Sequence, residues 1–334
     1  MRALRRLAPA LVLLILAPLI AEFLLGNFSV RQLGLLIAFI PQYGGGALLV
    51  REVARCARRG WPTIMLLALA YALVQEGFAT QTLFNPNYAG QRLLDYGYIP
   101  ALGTSLDWTV FVLTLHVIWS IGSCIAIAEP LAGERWAEPW LGRAGLAIVS
   151  LLFIAGCTFT TLITNRKFPY VASPAQFATV AIAVIVAIVA AFRIPRNRRP
   201  RVTARAPSLC LTGTATLLLS SAFYVLRLRG QLYGLHPAVT VLGMLTLELV
   251  AIACITAWSR RAGWGPLHAL SAAIGAILTY GWLSIARMVA GRTALGAPTN
   301  AIDVAGQVVL LLAILAVARA GVHRLHKWNA QLSA

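Results

Sequence analysis

The sequence predicts an all-α fold, a polytopic integral membrane bundle of about ten transmembrane helices, and three observations lead there. Of the 334 residues, 59% are hydrophobic and 11% charged, where soluble domains carry about 25% charged residues, and mean hydropathy is +0.78. Apolar windows of about 20 residues, enough to cross a bilayer, recur ten times. The basic residues fall between those windows in an alternating pattern.

Each window has its own justification. The first, Leu7 to Leu25, follows Met-Arg-Ala-Leu-Arg-Arg and has the look of a signal peptide. It lacks a small-x-small cleavage site before Glu22 and further spans follow, so it reads as a retained helix. The second, Gln32 to Arg51, holds Gln42, Tyr43 and the glycines 44 to 46, which permit close helix approach or a local break. The third, Pro62 to Phe84, carries Gln75 and Glu76 mid-run, and the fourth, Leu106 to Leu131, carries His116 and Ser120. Between them lies the loop Asn85 to Asp107, whose Tyr88, Tyr96 and Tyr98 suggest a folded cap, a re-entrant piece or an interfacial aromatic belt. Ala144 to Ile163 and Pro174 to Phe192 are almost wholly apolar. A break from Arg193 to Pro207 follows, where prolines and like charges oppose a helix. The remaining windows are Ser208 to Leu226, His236 to Trp258, Trp264 to Met288 and Ala301 to Val322, before a basic tail over 323–334. The expected organisation is one transmembrane domain over 1–334, with a polar functional half at 7–132, two helices within 144–192, a basic linker at 193–207 and a second helix group at 208–322.

A net charge of +18 is compatible with nucleic-acid binding, but membrane orientation accounts for it. With both termini cytoplasmic, twenty of the twenty-eight Lys and Arg lie on the inner side and eight on the other, as the positive-inside rule expects. Nine or eleven helices would scramble that alternation. The expected location is the plasma membrane of a bacterium, with anionic lipid as the partner of the basic linker and no nucleic-acid partner. Cys56, Cys124, Cys157, Cys210 and Cys254 stand singly, which predicts neither a disulfide framework nor a zinc site.

Polar residues within apolar windows concentrate in the first four. Glu76 lies eight residues from the end of the third window, roughly 12 Å deep at 1.5 Å per residue, and His116 lies ten residues into the fourth, roughly 15 Å deep. Gln42 falls at a similar depth and Glu22 nearer the surface. Thr80 is one turn from Glu76, and Ser120 one turn from His116. An ionisable group at such depth must be neutral, paired or facing a polar cavity, and is a functional candidate by default. Glu248 has few polar companions on its helix and reads as structural. Glu129 reads as an interfacial group, while Arg51, Glu52, Glu134 and Glu138 read as solvated surface charges.

Motifs exclude several chemistries. There is no Walker A loop, dinucleotide fingerprint, His-Glu-x-x-His or Gly-x-Ser-x-Gly. Asp95, Asp107 and Asp303 are too far apart for a local aspartate-rich magnesium site, which disfavours diphosphate–magnesium chemistry without excluding it, because glutamates also bind magnesium. No internal repeat is visible, which counts against inverted-repeat transporters. The pair Gln75-Glu76 followed by His116 resembles the glutamate-type intramembrane proteases of prenyl-protein processing. Their first motif is Glu-Glu-x-x-x-Arg, however, and here Gln75 replaces the first glutamate, no arginine follows at the required place, and a second histidine motif is missing. The runs Ala21-Glu22-Phe23-Leu24, Gln42-Tyr43-Gly44-Gly45-Gly46, Gln75-Glu76-Gly77, Leu83-Phe84-Asn85-Pro86, Asp95-Tyr96-Gly97-Tyr98 and His116 to Ile121 resemble polytopic actinobacterial membrane proteins. The resemblance extends to bacterial membrane-embedded terpene cyclases of the drimentine type. It implies proton-initiated cyclisation of a prenyl chain on an indole-containing substrate.

Read from the residues themselves, the expected function is an intramembrane enzyme for a lipophilic, isoprenoid small molecule. Apolar surroundings favour the neutral form of a carboxylic acid, which suits a proton donor to an alkene. Glu76 is the expected acid, His116 orients it and Glu22 is the second catalytic candidate. Gln42, Tyr43, Gln75, Tyr88, Asp95, Tyr96, Tyr98, Trp108, Trp119 and Ser120 are the expected substrate contacts, their aromatic faces suited to stabilising a carbocation. No metal and no cofactor is expected. A proton-coupled secondary transporter or lipid carrier, with Glu76 and His116 as a proton relay, is the alternative.

Overall fold

A computed structural model describes residues 2–195 and 202–333, and side chains within 6–195 and 202–328. Residues 196–201 of the basic linker and 329–334 of the tail therefore lie outside the described side chains. Among the described residues, ten helices are long and apolar enough to span a membrane: α1 (Arg6–Leu24), α2 (Val30–Cys56), α3 (Trp61–Ala79), α4 (Leu106–Arg135), α5 (Arg143–Lys167), α6 (Pro174–Arg193), α7 (Leu209–Leu232), α8 (Pro237–Ser259), α9 (Pro266–Val289) and α10 (Ala301–Trp328). The fold is an all-α polytopic membrane bundle. Helices satisfy their own backbone groups internally, which is what hydrocarbon surroundings demand.

The ten helices are not equivalent. Between 44% and 72% of the apolar windows of α1 to α4 is buried within the protein, and 56% of that of α9, against 11% to 22% for the other five. The five form an inner group, and the rest flank it. On one side α5 packs on α2 and α6 on α3; on the other α7 packs on α9, α8 on α7 and the start of α4, and α10 on α9. The outer five still carry scattered polar groups, such as Glu248 and Gln307. The helices rich in polar residues turn those residues inward, toward one another.

Small residues set how closely the inner helices approach. A Cβ on Gly44 would meet the carbonyl oxygen of Leu14 in α1 at 2.1 Å, and one on Gly46 would meet the ring of Tyr71 in α3 at 2.2 Å. Only glycine permits these contacts. The break expected near these glycines is also present, because α2 widens into a π-helical turn over Ile40–Gly44.

One end of the bundle is capped. Helix α3 stops at Ala79 rather than at Phe84, with Gln81 in a left-handed conformation at φ 57°. The segment from Thr80 to Asn85 does not emerge, however: every residue in it is buried. It doubles back along the end of α3, and Gln81 Oε1 accepts the amide proton of Ala172 at 2.8 Å. The hydropathy signal is the same for an apolar helix end and an apolar return, which is why the window ran too long. Beyond it, β1 (Tyr98–Ile99) and β2 (Thr104–Ser105) pair antiparallel as a small hairpin. Arg31 clasps Asp303 through two contacts of 2.7 Å, tying the start of α2 to that of α10. Arg227 reaches Asp107 at 2.8 Å, tying α7 to the start of α4.

The opposite end corrects three expectations. Arg51 and Glu52 are fully buried rather than solvated, and Glu129 is buried rather than interfacial. The reason is the chain after α4. Segment 136–141 folds back over this end: Glu52 accepts the amide protons of Trp140 and Leu141, each at 2.9 Å, and Arg51 donates to the carbonyls of Trp136 and Glu138 at 2.9 and 2.8 Å. Arg51 also bonds Glu52, and its guanidinium lies 3.2 Å above the centre of the Trp140 ring. Arg55 grips Glu129 in a two-pronged pair at 2.8 and 2.7 Å. Paired and hydrogen-bonded in this way, buried charges are tolerated. The basic linker is not wholly irregular either, since β3 (Val202–Arg205) lies parallel to β4 (Arg261–Ala262).

Candidate functional site

Four helices of the inner group change their winding where they carry their polar residues. Leu19–Leu24 in α1, Ile40–Gly44 in α2, Gln75–Ala79 in α3 and His116–Ser123 in α4 are π-helical. π-turns are rare and are found frequently at functional sites, because the extra residue rotates side chains out of α-register. Here four of them meet. Glu22, Gln42, Tyr43, Gln75, Glu76 and His116 all lie within them and all are buried.

At the centre, His116 Nε2 and Glu76 Oε1 are 2.7 Å apart. Glu76 Oε2 accepts from the Thr82 hydroxyl and lies 3.1 Å from that of Thr80. Thr82 in turn accepts from the indole N–H of Trp108 at 3.1 Å. Every oxygen of the carboxyl group therefore has a protein partner. The backfolded segment after α3 supplies both partners of Oε2, so the return at Thr80 to Asn85 is part of the site's construction.

The imidazole is enclosed by rings. Tyr43 stacks on it at a centroid distance of 5.9 Å, and Tyr71 meets it edge-on at 5.7 Å. Tyr43 donates its hydroxyl proton to Glu22, which also accepts from Asn27 at 2.9 Å. A second carboxyl group is thereby joined to the His116 face through one tyrosine. Alongside, Gln42 donates to Gln75 and accepts from Thr160 of α5. The two amides span α2 and α3 beside the pair and fix its helices in register.

A family model covers residues 11–331, nearly the whole chain. The chain belongs to an uncharacterized membrane protein family. No curated protein and no solved structure matches it. Membership and the ten apolar helices together establish a membrane location.

The expected site residues separate into two groups. Glu76, His116, Glu22, Gln42, Tyr43 and Gln75 come together, and Trp108 joins them through Thr82. The others are elsewhere. Asp95 is on the cap surface, paired with Arg92. Tyr96 gives its hydroxyl to the Leu235 carbonyl at 2.7 Å, at the turn between α7 and α8. Tyr98 is exposed, and Tyr88 packs on Phe168 at 5.4 Å, where burial pushes its hydroxyl above the ordinary tyrosine range. Tyr98, in the hairpin, is exposed and Tyr96 is turned to Thr240 of α8, whereas Tyr88 lies deep enough that the charges of Glu76 and Glu22 also act on its hydroxyl. Trp119 faces α9, stacked on Tyr280 at 4.7 Å with its indole N–H on the Ala276 carbonyl, and the buried Ser120 lies within the same π-turn. Glu248 takes a hydrogen bond from Thr114, in keeping with a structural role.

Four residues of the site carried no signal beforehand. Tyr71 stands alone on an apolar helix, Thr160 is one of several threonines in α5, Thr82 lay in an expected helix end, and Asn27 in a turn. The spacing of Tyr71 four residues before Gln75 was the one available cue, since it puts both on one face of α3. Among the described residues, no group of three or more His, Cys, Asp and Glu is arranged to hold a metal ion.

Proposed function

We propose that the protein is an intramembrane enzyme for a lipophilic isoprenoid substrate, and that it starts cation cyclisation by proton transfer from the Glu76–His116 pair. The observation that carries this reading is a carboxyl–imidazole pair at 2.7 Å, buried in apolar protein and faced by the rings of Tyr43 and Tyr71. The pair supplies an exchangeable proton, and the rings supply electron-rich faces for the positive charge that follows. Thr80 adds support. Its single hydroxyl proton is placed between two acceptors, the Gln75 carbonyl at 3.0 Å and Glu76 Oε2 at 3.1 Å. If that proton goes to the carbonyl, the contact with Glu76 is made good by a proton on the carboxyl group.

Protonation of a terminal alkene and loss of a proton from the final cation leave the mass unchanged. No co-reactant is required. The alternative of a proton-coupled carrier needs a path through both ends of the bundle, and the buried Arg51, Glu52, Arg55 and Glu129 network closes one of them.

The test is conversion of a farnesylated indole by purified protein in detergent, followed by mass spectrometry. The expected product is an isomer of unchanged mass and altered retention, which gains one deuterium in heavy water. Glu76→Gln should lower turnover by at least about a hundredfold, the typical contribution of a positioned acid. No conversion across several prenylated substrates sinks the cyclase reading, and proton-coupled uptake in liposomes would put the carrier in its place.

A further inference from the structure

Two atoms at the centre of the site have nothing to bond. Among the described residues, neither the Tyr71 hydroxyl nor His116 Nδ1 has a hydrogen-bond partner, and both side chains are more than nine-tenths buried. They are carried by adjoining rings whose centroids are 5.7 Å apart. Leaving a buried donor or acceptor unsatisfied costs about 1–3 kcal/mol, and native proteins keep few such groups. Three of the neighbouring polar side chains, Glu76, Tyr43 and Gln42, are already committed. Glu76 holds Nε2, Tyr43 is turned to Glu22, and Gln42 is turned to Gln75 and Thr160.

The position of Tyr71 is also built rather than incidental. A Cβ at Gly46 would strike its ring at 2.2 Å, so the glycine makes room for a tyrosine that the fold itself gives no hydrogen bond. A phenylalanine would pack the same space without an orphaned hydroxyl.

We propose that Tyr71 Oη and His116 Nδ1 form a polar subsite that takes one oxygen of the ligand, so that the substrate is an isoprenoid with a hydroxyl-bearing head rather than a bare hydrocarbon. The proposal rests on the isoprenoid reading above and deepens it. A hydroxyl oxygen accepts from the tyrosine O–H, and in the tautomer that carries the imidazole proton on Nε2 its own proton goes to Nδ1. With Glu76 holding Nε2, the imidazole is fixed in orientation, so the head group is located relative to the proton-donating pair. A hydrocarbon would leave both atoms unsatisfied, which is the situation in which a polar site discriminates most strongly.

Binding, read without turnover, tests this. The full chain in detergent is titrated with farnesol and, separately, with farnesene, and the shift in unfolding temperature is followed. Farnesol should bind roughly threefold to tenfold more tightly than farnesene, the range for one net hydrogen bond, and Tyr71→Phe should bind the two alike. Equal stabilisation of the wild type by both, or by neither, overturns the proposal and leaves an ordered water as the occupant of the two atoms. Retention of the preference in Tyr71→Phe removes the tyrosine from the subsite. Should that variant fail to fold, the comparison on the wild type still decides. Preference for farnesol without cyclisation of any substrate keeps the subsite and removes the cyclase; cyclisation without the preference does the reverse.

Discussion

Glu52 is one side chain on which the closure of an entire end of the bundle depends. It accepts two backbone amide protons from segment 136–141 and neutralises the buried Arg51, whose guanidinium is laid against Trp140. Glu52→Gln keeps the shape but removes the charge, so Arg51 is left with Glu129 alone, at 3.2 Å. Breaking a buried pair costs about 3 kcal/mol, and a clear fall in Tm is expected for purified protein in detergent. Glu134→Gln is the control, because Glu134 is exposed and surface charges contribute little. Equal behaviour of the two variants would refute the buried network. The sequence hid this distinction for a physical reason: an Arg-Glu pair at a helix end looks the same whether solvent or a returning strap covers it. Glu76 was legible because mid-helix depth alone marks a carboxyl group as anomalous, whereas Tyr71 was not, since an aromatic residue on an apolar helix is ordinary until its hydroxyl is seen to lack a partner.

At the scale of elements, the π-turns decide what the site contains and what the rest of the bundle must compensate. A π-turn leaves carbonyls out of the regular ladder, and in α1 these are taken up from a distance. Gln307 of α10 donates to the carbonyls of Phe23 and Leu24 at 3.1 and 2.8 Å and to the Ser284 hydroxyl at 2.7 Å. Gln307→Leu strands the Leu24 carbonyl in apolar surroundings, while that of Phe23 keeps the amide proton of Gly26 at 3.0 Å. A loss of about 1–3 kcal/mol is expected, read as a lower Tm, with Glu22 and Tyr43 displaced because they ride on the same turns of α1 and α2. An unchanged Tm would mean that the Leu24 carbonyl finds another donor. Gly44→Ala probes the neighbouring contact: its Cβ would overlap the Leu14 backbone, which cannot rotate away as a side chain can. Helices α1 and α2 must then separate, at about 1–3 kcal/mol. Apolar windows located the spans because length and hydropathy are set by the bilayer. They could not locate the π-turns, since one inserted residue leaves composition and window hydropathy unchanged. The same blindness made α3 five residues too long, its buried return being as apolar as a helix end.

For the molecule as a whole, the arrangement of charge sets the direction in which it should lie in the membrane. The end closed by Arg51, Arg55 and Glu129 is also where Arg58, Arg59, Arg135, Arg143, Arg205, Arg260 and Arg261 gather, while the opposite end carries the cap and the internally paired Arg31 and Arg227. Basic residues near helix ends are retained on the cytoplasmic side, so we propose that the arginine-rich end and both termini face the cytoplasm. Two native cysteines report on it. Cys56, at the end of α2, and Cys210, at the start of α7, are both exposed at the arginine-rich end. In intact cells a membrane-impermeant maleimide should leave both unlabelled, and should label them after permeabilisation. A single cysteine at the exposed Tyr98 of the cap, introduced as Tyr98→Cys with the native cysteines replaced by serine, should react without permeabilisation. The opposite pattern would invert the molecule and put the arginine-rich end outside.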